Sequence, residues 1–529
     1  MRISTAQYFE TSAAKYQNNF SSIVKTQEQI TSGVRIQSAG DDPVGAAQLL
    51  MLQQQKAMLG QYSTNMGTIK SLLTNQESVL DSVNTALQRA RELALQAGNG
   101  GISDADRKSI GSEIGEIEAQ VLGLLNSKDS SGNYMFAGSK TSIPPYVRNN
   151  DGTYSYQGDD TQLSLQVSDT LSMATNDTGK SILEPAVNSG RTQAVLDPSK
   201  PNDGTVSVSA GLAQSNAAYV KKFAAGEPYE LKFVDSTHYT IADKDGNDIT
   251  SEVSGNGTFD STKEGGATIS LRGVEFDISL RLKAPVDPAT TLPMTPDQEV
   301  KDHIFSLGTK PDSFNASRSP GNDSTAQVTG SGVTTQVDYV NGFPNSGVVI
   351  KFTDASNYQV YAQPMGADSN AIGGGTMAGG SITFAGVKLD FTGAPQADDQ
   401  FVVGASSHQT QSALDTLSQL RQALGTPADG NDLAQIKLKD SVNAAISNLS
   451  NASEQVDIVR GTIGARLNAI DIQNAENVSM SLANTSTQSA IGDTDVATAS
   501  IDLAFQQSLL QASQLAFVKI AQLSLFNKL

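Results

Sequence analysis

Residues 58–97 read MLGQYSTNMGTIKSLLTNQESVLDSVNTALQRARELALQA. In this stretch Met58, Tyr62, Asn65, Ile69, Leu72, Gln76, Val79, Val83, Ala86, Ala90, Leu93 and Ala97 recur alternately four and three apart. That spacing lines one face of an α-helix, and Leu73, Leu80 and Leu87 widen the face by a parallel stripe. A rhythm kept over so many turns predicts a coiled-coil-like bundle rather than an isolated surface helix.

The same rhythm lies on either side. Upstream it runs through Phe9, Ala13, Tyr16, Phe20, Ile23, Gln27 and Ile30. Downstream, Ser103 with Asp106 three residues on predicts the N-cap of a third helix, striped by Ile110, Ile114, Ile117, Val121 and Leu124. The pattern returns at Leu414, Leu417 and Leu420, and again from Val442 to Ile470. It ends in a seven-residue repeat, Val496, Leu503, Leu510 and Phe517. Long helices at both ends of one chain must pair with each other or with other copies.

Between these ends the composition changes. Residues 144–404 hold 31 acidic and 17 basic side chains, −14 of the chain's −19, and 20 of the 30 Phe and Tyr residues. Such a balance argues against nucleic-acid and anionic-membrane partners. Zero cysteines exclude disulfides, thiolate metal sites and cysteine nucleophiles, and three scattered histidines (His238, His303, His408) supply little acid–base chemistry. The amino terminus has no apolar leader core, so no cleaved signal peptide is expected.

The middle contains a repeat. Glu230–Ile241 resembles Val349–Val360, with Lys232/Lys351, Phe233/Phe352, Asp235/Asp354 and Tyr239/Tyr358 coinciding. Farther on, Ile269, Gly273, Val274 and Asp277 match Ile382, Gly386, Val387 and Asp390. Alternation and turn residues predict strands. The expected fold class is α+β and multidomain: a long antiparallel helical bundle built from both termini, with a β-rich central insertion of two similar domains. The expected parts are terminal helical assembly segments at 1–42 and 490–529, and a bundle at 43–140 and 405–489. A β connection region is placed at 141–225 and 381–404, with β repeats at 226–285 and 345–404.

Three motifs carry a resemblance. Gln29–Ala47, with Gly33, Arg35, Asp41, Asp42 and Pro43, resembles the loop between the first two helices of the flagellin superfamily. Gly132–Gly138, reading GNYMFAG, is similar to the segment that leaves the third helix in that superfamily's hook–filament junction proteins. Asp493–Leu529 resembles the superfamily's terminal helix. The resemblance implies a structural component of the bacterial flagellum at the hook–filament junction. It would be extracellular, would be exported through the flagellar type III apparatus, and would have no cofactor and no catalysis. It also implies partners: further copies of itself, an adjacent hook-associated junction protein, flagellin and a cytoplasmic export chaperone. A filament subunit, or an adhesin acting through the β domains, are the rival readings.

Physically, the terminal stripes are diluted by residues such as Ala13, Gln27, Gln506 and Ser513. Ordering a residue costs about 1–2 kcal/mol of backbone entropy, so the ends are expected to be frayed in the single chain and to order when neighbours bury them. The expected assembly residues are Phe9, Tyr16, Phe20, Ile23, Ile30, Val496, Leu503, Leu510, Phe517 and Ile520. Asp41-Asp42-Pro43 reads as a helix cap, with Asp42 at N-cap and Pro43 at the first helical position, rather than as a catalytic pair. Asp243–Asp248 lacks the full register of a calcium loop.

Overall fold

The computed structural model describes residues 5–149, 152–199, 204–262, 266–287, 289, 292–319, 321–344, 346–366 and 369–526. The chain divides into two compact units. The first comprises Met1–Thr74, Leu163–Thr175 and Ile463–Leu529; the second comprises Asn75–Gln162 and Asn176–Thr462.

The first unit is built on two whole helices and parts of two others: α1 (Thr5–Ser32), the start of α2 (Pro43–Ala97), the end of α10 (Asp432–Gly492) and α11 (Val496–Phe526). Within it α2 and α10 run antiparallel around Leu59, Met66, Ile69, Leu73, Ile463 and Ile470. Two buried asparagines one heptad apart set the register: Asn477 donates to the Leu59 carbonyl at 2.9 Å and Asn484 to the Leu52 carbonyl at 3.0 Å. A hairpin of β3 (Ser164–Gln166) and β4 (Ser172–Ala174) is tied to α2 by Tyr62–Asp169 and Asn65–Gln166 bonds of 2.8 and 2.7 Å.

In the second unit the rest of α2 packs with α3 (Asp104–Leu125), α9 (Ala413–Gly425) and the start of α10. The parallel stripe proves central, since Leu80 and Leu87 are fully buried while Leu72 and Val79 are only half-buried. Ser103 caps α3 as expected, accepting from the Asp106 N–H. Buried Glu118 of α3 accepts from Tyr154 Oη and Arg421 Nε, both at 2.7 Å, which binds the short sheet β1 (Tyr146–Arg148)–β2 (Tyr154–Tyr156) and α9 to α3. Met135 and Phe136 of the GNYMFAG motif are buried and serve as apolar cover.

The insertion opens with α4 (Gly179–Leu183) and holds two copies of one β fold. The first has β5 (Thr192–Leu196), β6 (Val206–Val208), β7 (Leu212–Ala213), β8 (Tyr229–Phe233), β9 (Tyr239–Ala242), β10 (Ala267–Leu271), β11 (Val274–Leu280) and β12 (Ile304–Thr309). The short helices α5 (Asn216–Ala218), α6 (Ala224–Gly226) and α7 (Pro296–Val300) interrupt them. The second has β13 (Ser313–Arg318), β14 (Gln327–Val333), α8 (Gln336–Gly342), β15 (Val348–Phe352), β16 (Asn357–Ala362), β17 (Gly373–Thr376), β18 (Ser381–Phe384), β19 (Val387–Thr392) and β20 (Gln400–Ser406).

Sheet order β5-β12-β8-β9 in the first copy answers to β13-β20-β15-β16 in the second. Likewise β6-β11-β10 answers to β14-β19-β18, and each copy encloses its own core. The shared aspartates of the repeat are turn formers: Asp235 accepts from the Thr237 and His238 N–H groups, and Asp354 from those of Ser356 and Asn357. Gly386 holds φ +72°, and a Cβ there would lie 2.3 Å from the Thr335 carbonyl oxygen.

Each copy takes in strands beyond the spans 226–285 and 345–404: β5, β6, β7 and β12 in one, β13 and β14 in the other. Residues 381–404, also assigned to a connection region, carry β18, β19 and most of β20. Periodicity located the best-matched strands, whereas strand pairing defines the domain. Entry and exit strands are antiparallel partners in both copies, Thr192 opposite Thr309 and Ser313 opposite Ser406.

Candidate assembly surface

Gly33, at φ +71°, ends α1 without strain for a residue lacking Cβ. The chain then meets the corner between α10 and α11. The Arg35 N–H donates to Gly492 O at 2.6 Å, its guanidinium donates to Ile491 O at 2.7 and 3.1 Å, and Thr494 N–H donates to Gly33 O at 2.9 Å. Arg35 thus serves its own chain here. Asp42 accepts from the Gly45 N–H at 2.9 Å and Pro43 opens α2, as the cap reading expected. Asp41 accepts from the N–H groups of Gln37 and Ser38 and pairs with Lys25 at 2.5 Å. Lys25 first, then these N–H groups, hold its carboxyl at about 2, so it stays ionised.

That corner turns α11 back along α1, and the two helices pack together. The expectation of frayed ends in the single chain is corrected: residues 5–32 and 496–526 are helical, each providing the other with a partner. The partner is thin. Only Ile23, Thr26 and Ala499 are buried among the described side chains of the pair, with Ile30, Leu503 and Leu510 half-buried. Polar links are sparse, Thr26 to Gln506 at 3.2 Å and Gln514 to Tyr16 at 3.1 Å. A groove of about 850 Å³ opens between the helices, with Tyr16 and Phe517 on its walls.

The expected residues therefore separate. Ile23, Ile30, Leu503 and Leu510 face the partner helix. Tyr16, Phe20, Val496 and Phe517 remain exposed, Phe20 by 53%. The side chains of Phe9 and Ile520 lie outside those described. Sequence reasoning missed a second stripe on α11: Ile501, Phe505, Leu509, Leu515 and Val518 are all exposed, Ile501 by 70% and Phe505 by 63%. The signal was present, because Ile501, Phe505 and Leu509 are four apart. The seven-residue repeat beside it drew the reading to the inner face.

The groups that invited chemical readings are occupied locally. His238 Nδ1 lies 2.9 Å from Asp235, on the solvent side. Asp243 spends its carboxylate on the N–H groups of Asp245 and Asn247, and no group of three or more potential metal ligands occurs among the described residues. No described helix is long and apolar enough to cross a membrane.

Residues 3–141 match the family described as the bacterial flagellin N-terminal helical region. Flagellar hook-associated protein 3 of Salmonella typhimurium is 35% identical over 198 residues, which cover 37% of this chain and 60% of that protein. The Escherichia coli protein of that name is 33% identical over 184 residues, 35% of this chain and 57% of its own. The flagellin of Bacillus subtilis is 35% identical over 124 residues, 23% of this chain and 41% of its own. The chain thus spans less than two thirds of each of these relatives. Among solved structures, hook-associated protein 3 of Legionella pneumophila aligns with a TM-score of 0.47 and 20% identity, over 84% of this chain and 99% of that one.

Proposed function

We propose that this chain, which belongs to the flagellin superfamily, is a structural subunit of the bacterial flagellum at the junction between hook and filament. The exposed apolar stripe of α11, beside the thinly packed α1, carries this reading: these side chains are buried only when further helices cover them. The bundle forms the wall and the two β copies stand as insertions upon it. Its neighbours are other copies of itself, a second hook-associated protein and flagellin, with an export chaperone before assembly. Its place is outside the cell.

The broader match to two hook-associated proteins, against a shorter one to a flagellin, favours a junction subunit over a filament subunit. Among the described residues no group of three or more potential metal ligands occurs.

Excision of 313–406 provides the test, because Ser313 and Ser406 are cross-strand partners and sealing Asp312 to Ser407 leaves the frame intact. In a strain lacking the gene, the shortened chain is expected to restore filament attachment and motility. Folded but non-restoring protein refutes a frame-based role. Purified full-length chain growing unaided into long filaments would instead make it a filament subunit.

A further inference from the structure

The first β copy does not stand free of the bundle. The Ala210 N–H, just past β6, donates to Asp440 of α10 at 3.0 Å. Lys439 pairs with Asp277 of β11 at 2.9 Å, and Arg281 pairs with Asp432. Behind these contacts lies a cleft of about 740 Å³ between α10 and the β copy, with Asp440 in its wall.

We propose that this contact is a proton-controlled seat: one proton, taken up by the Asp440 carboxyl in the cleft, tightens the hold of the bundle on the first β copy. The charged groups around it argue for this. From β11 come Asp277 and Glu275, from the link between the β copies Lys310, and from α10 itself Lys437 and Lys439. The α2 and α9 walls offer only uncharged side chains, Leu95, Thr416, Gln419 and Leu420. Two of these three cations are committed elsewhere: Lys310 donates to the Gly190 carbonyl at 2.6 Å and Lys439 to Asp277. One backbone N–H is the hydrogen bond Asp440 receives.

Burial first, then Asp277, push the Asp440 carboxyl up from 3.8 to about 6, against the Ala210 N–H and the two lysines. On an unseated helix the same carboxyl is exposed to water. The seated form therefore binds the extra proton, and seating strengthens as pH falls from 6 toward 4. The limiting change is about a hundredfold in the seating equilibrium.

Hydrogen exchange of the full chain tests this, read on the 206–213 segment and corrected for the intrinsic rate at each pH. The wild type is expected to gain about tenfold protection between pH 7.5 and 5, the rise setting in near pH 6. Asp440→Asn should show the high protection at both. A pH-independent wild type, or loss of protection in Asp440→Asn at both pH values, overturns the proposal. Should that variant not fold, Asp277→Asn carries the test. A rise that sets in at lower pH than in the wild type supports the seat, and an unmoved onset overturns it.

Discussion

Truncating Phe505 to alanine is the sharpest probe of the assembly surface, because its cost falls on a state the single chain does not reach. Phe505 is 63% exposed on α11. Full burial of a phenylalanine is worth about 1.5–3 kcal/mol, so roughly two thirds of that remains for a neighbouring subunit to collect. Phe505→Ala is thus expected to leave the thermal melt of the isolated protein unchanged. Each subunit contact should weaken by about 1–2 kcal/mol, or about 5–30-fold. Ile23→Ala is the control: Ile23 is 7% exposed against α11, and its loss costs the isolated chain about 2–4 kcal/mol. Circular dichroism melts of the free proteins, with sedimentation of subunits bound to isolated hooks, separate the two. A Phe505→Ala chain that melts early, or that adds to hooks as tightly as the wild type, refutes the reasoning.

Two further outcomes follow from buried polar groups. Burial first, then Asp415, raise the Glu184 carboxyl from 4.5 to about 7. The folded state there holds a proton the unfolded state releases, so stability falls as pH rises from 4.5 to 7. Glu184→Gln should raise stability by up to about 3 kcal/mol at pH 8 and by nothing at pH 4, in paired denaturant titrations. An equal offset at both pH values would count against it. Replacing Asn477 and Asn484 together by leucine should raise the melting temperature but release the α2–α10 register, as removal of a buried coiled-coil asparagine does. Spin labels at Lys56 and Met480 should then give several distances where the parent gives one, and a single distance would show that the asparagines do not set the register.

Some of this molecule was legible before any coordinates, and the line falls at identifiable residues. The helical stripe of residues 58–97 declared itself because period and length together leave no other backbone. The cap at Asp42 and Pro43 was equally plain, because it depends on neighbours within three positions. The β copies were half legible. Their best-matched strands stood out, but β5, β6, β13 and β14 were recognisable only once paired with strands more than fifty residues away.

The chain's order of residues alone determines periodicity, capping, the repeat and the charge division, since each follows from near neighbours or from composition. Tertiary structure decided which apolar face of α11 is spent on α1 and which is left over. It also decided that Arg35 turns to its own chain, and that Asp440 sits where its charge is costly. Those outcomes depend on what lies across a contact, and an apolar or acidic residue carries no record of its eventual neighbour.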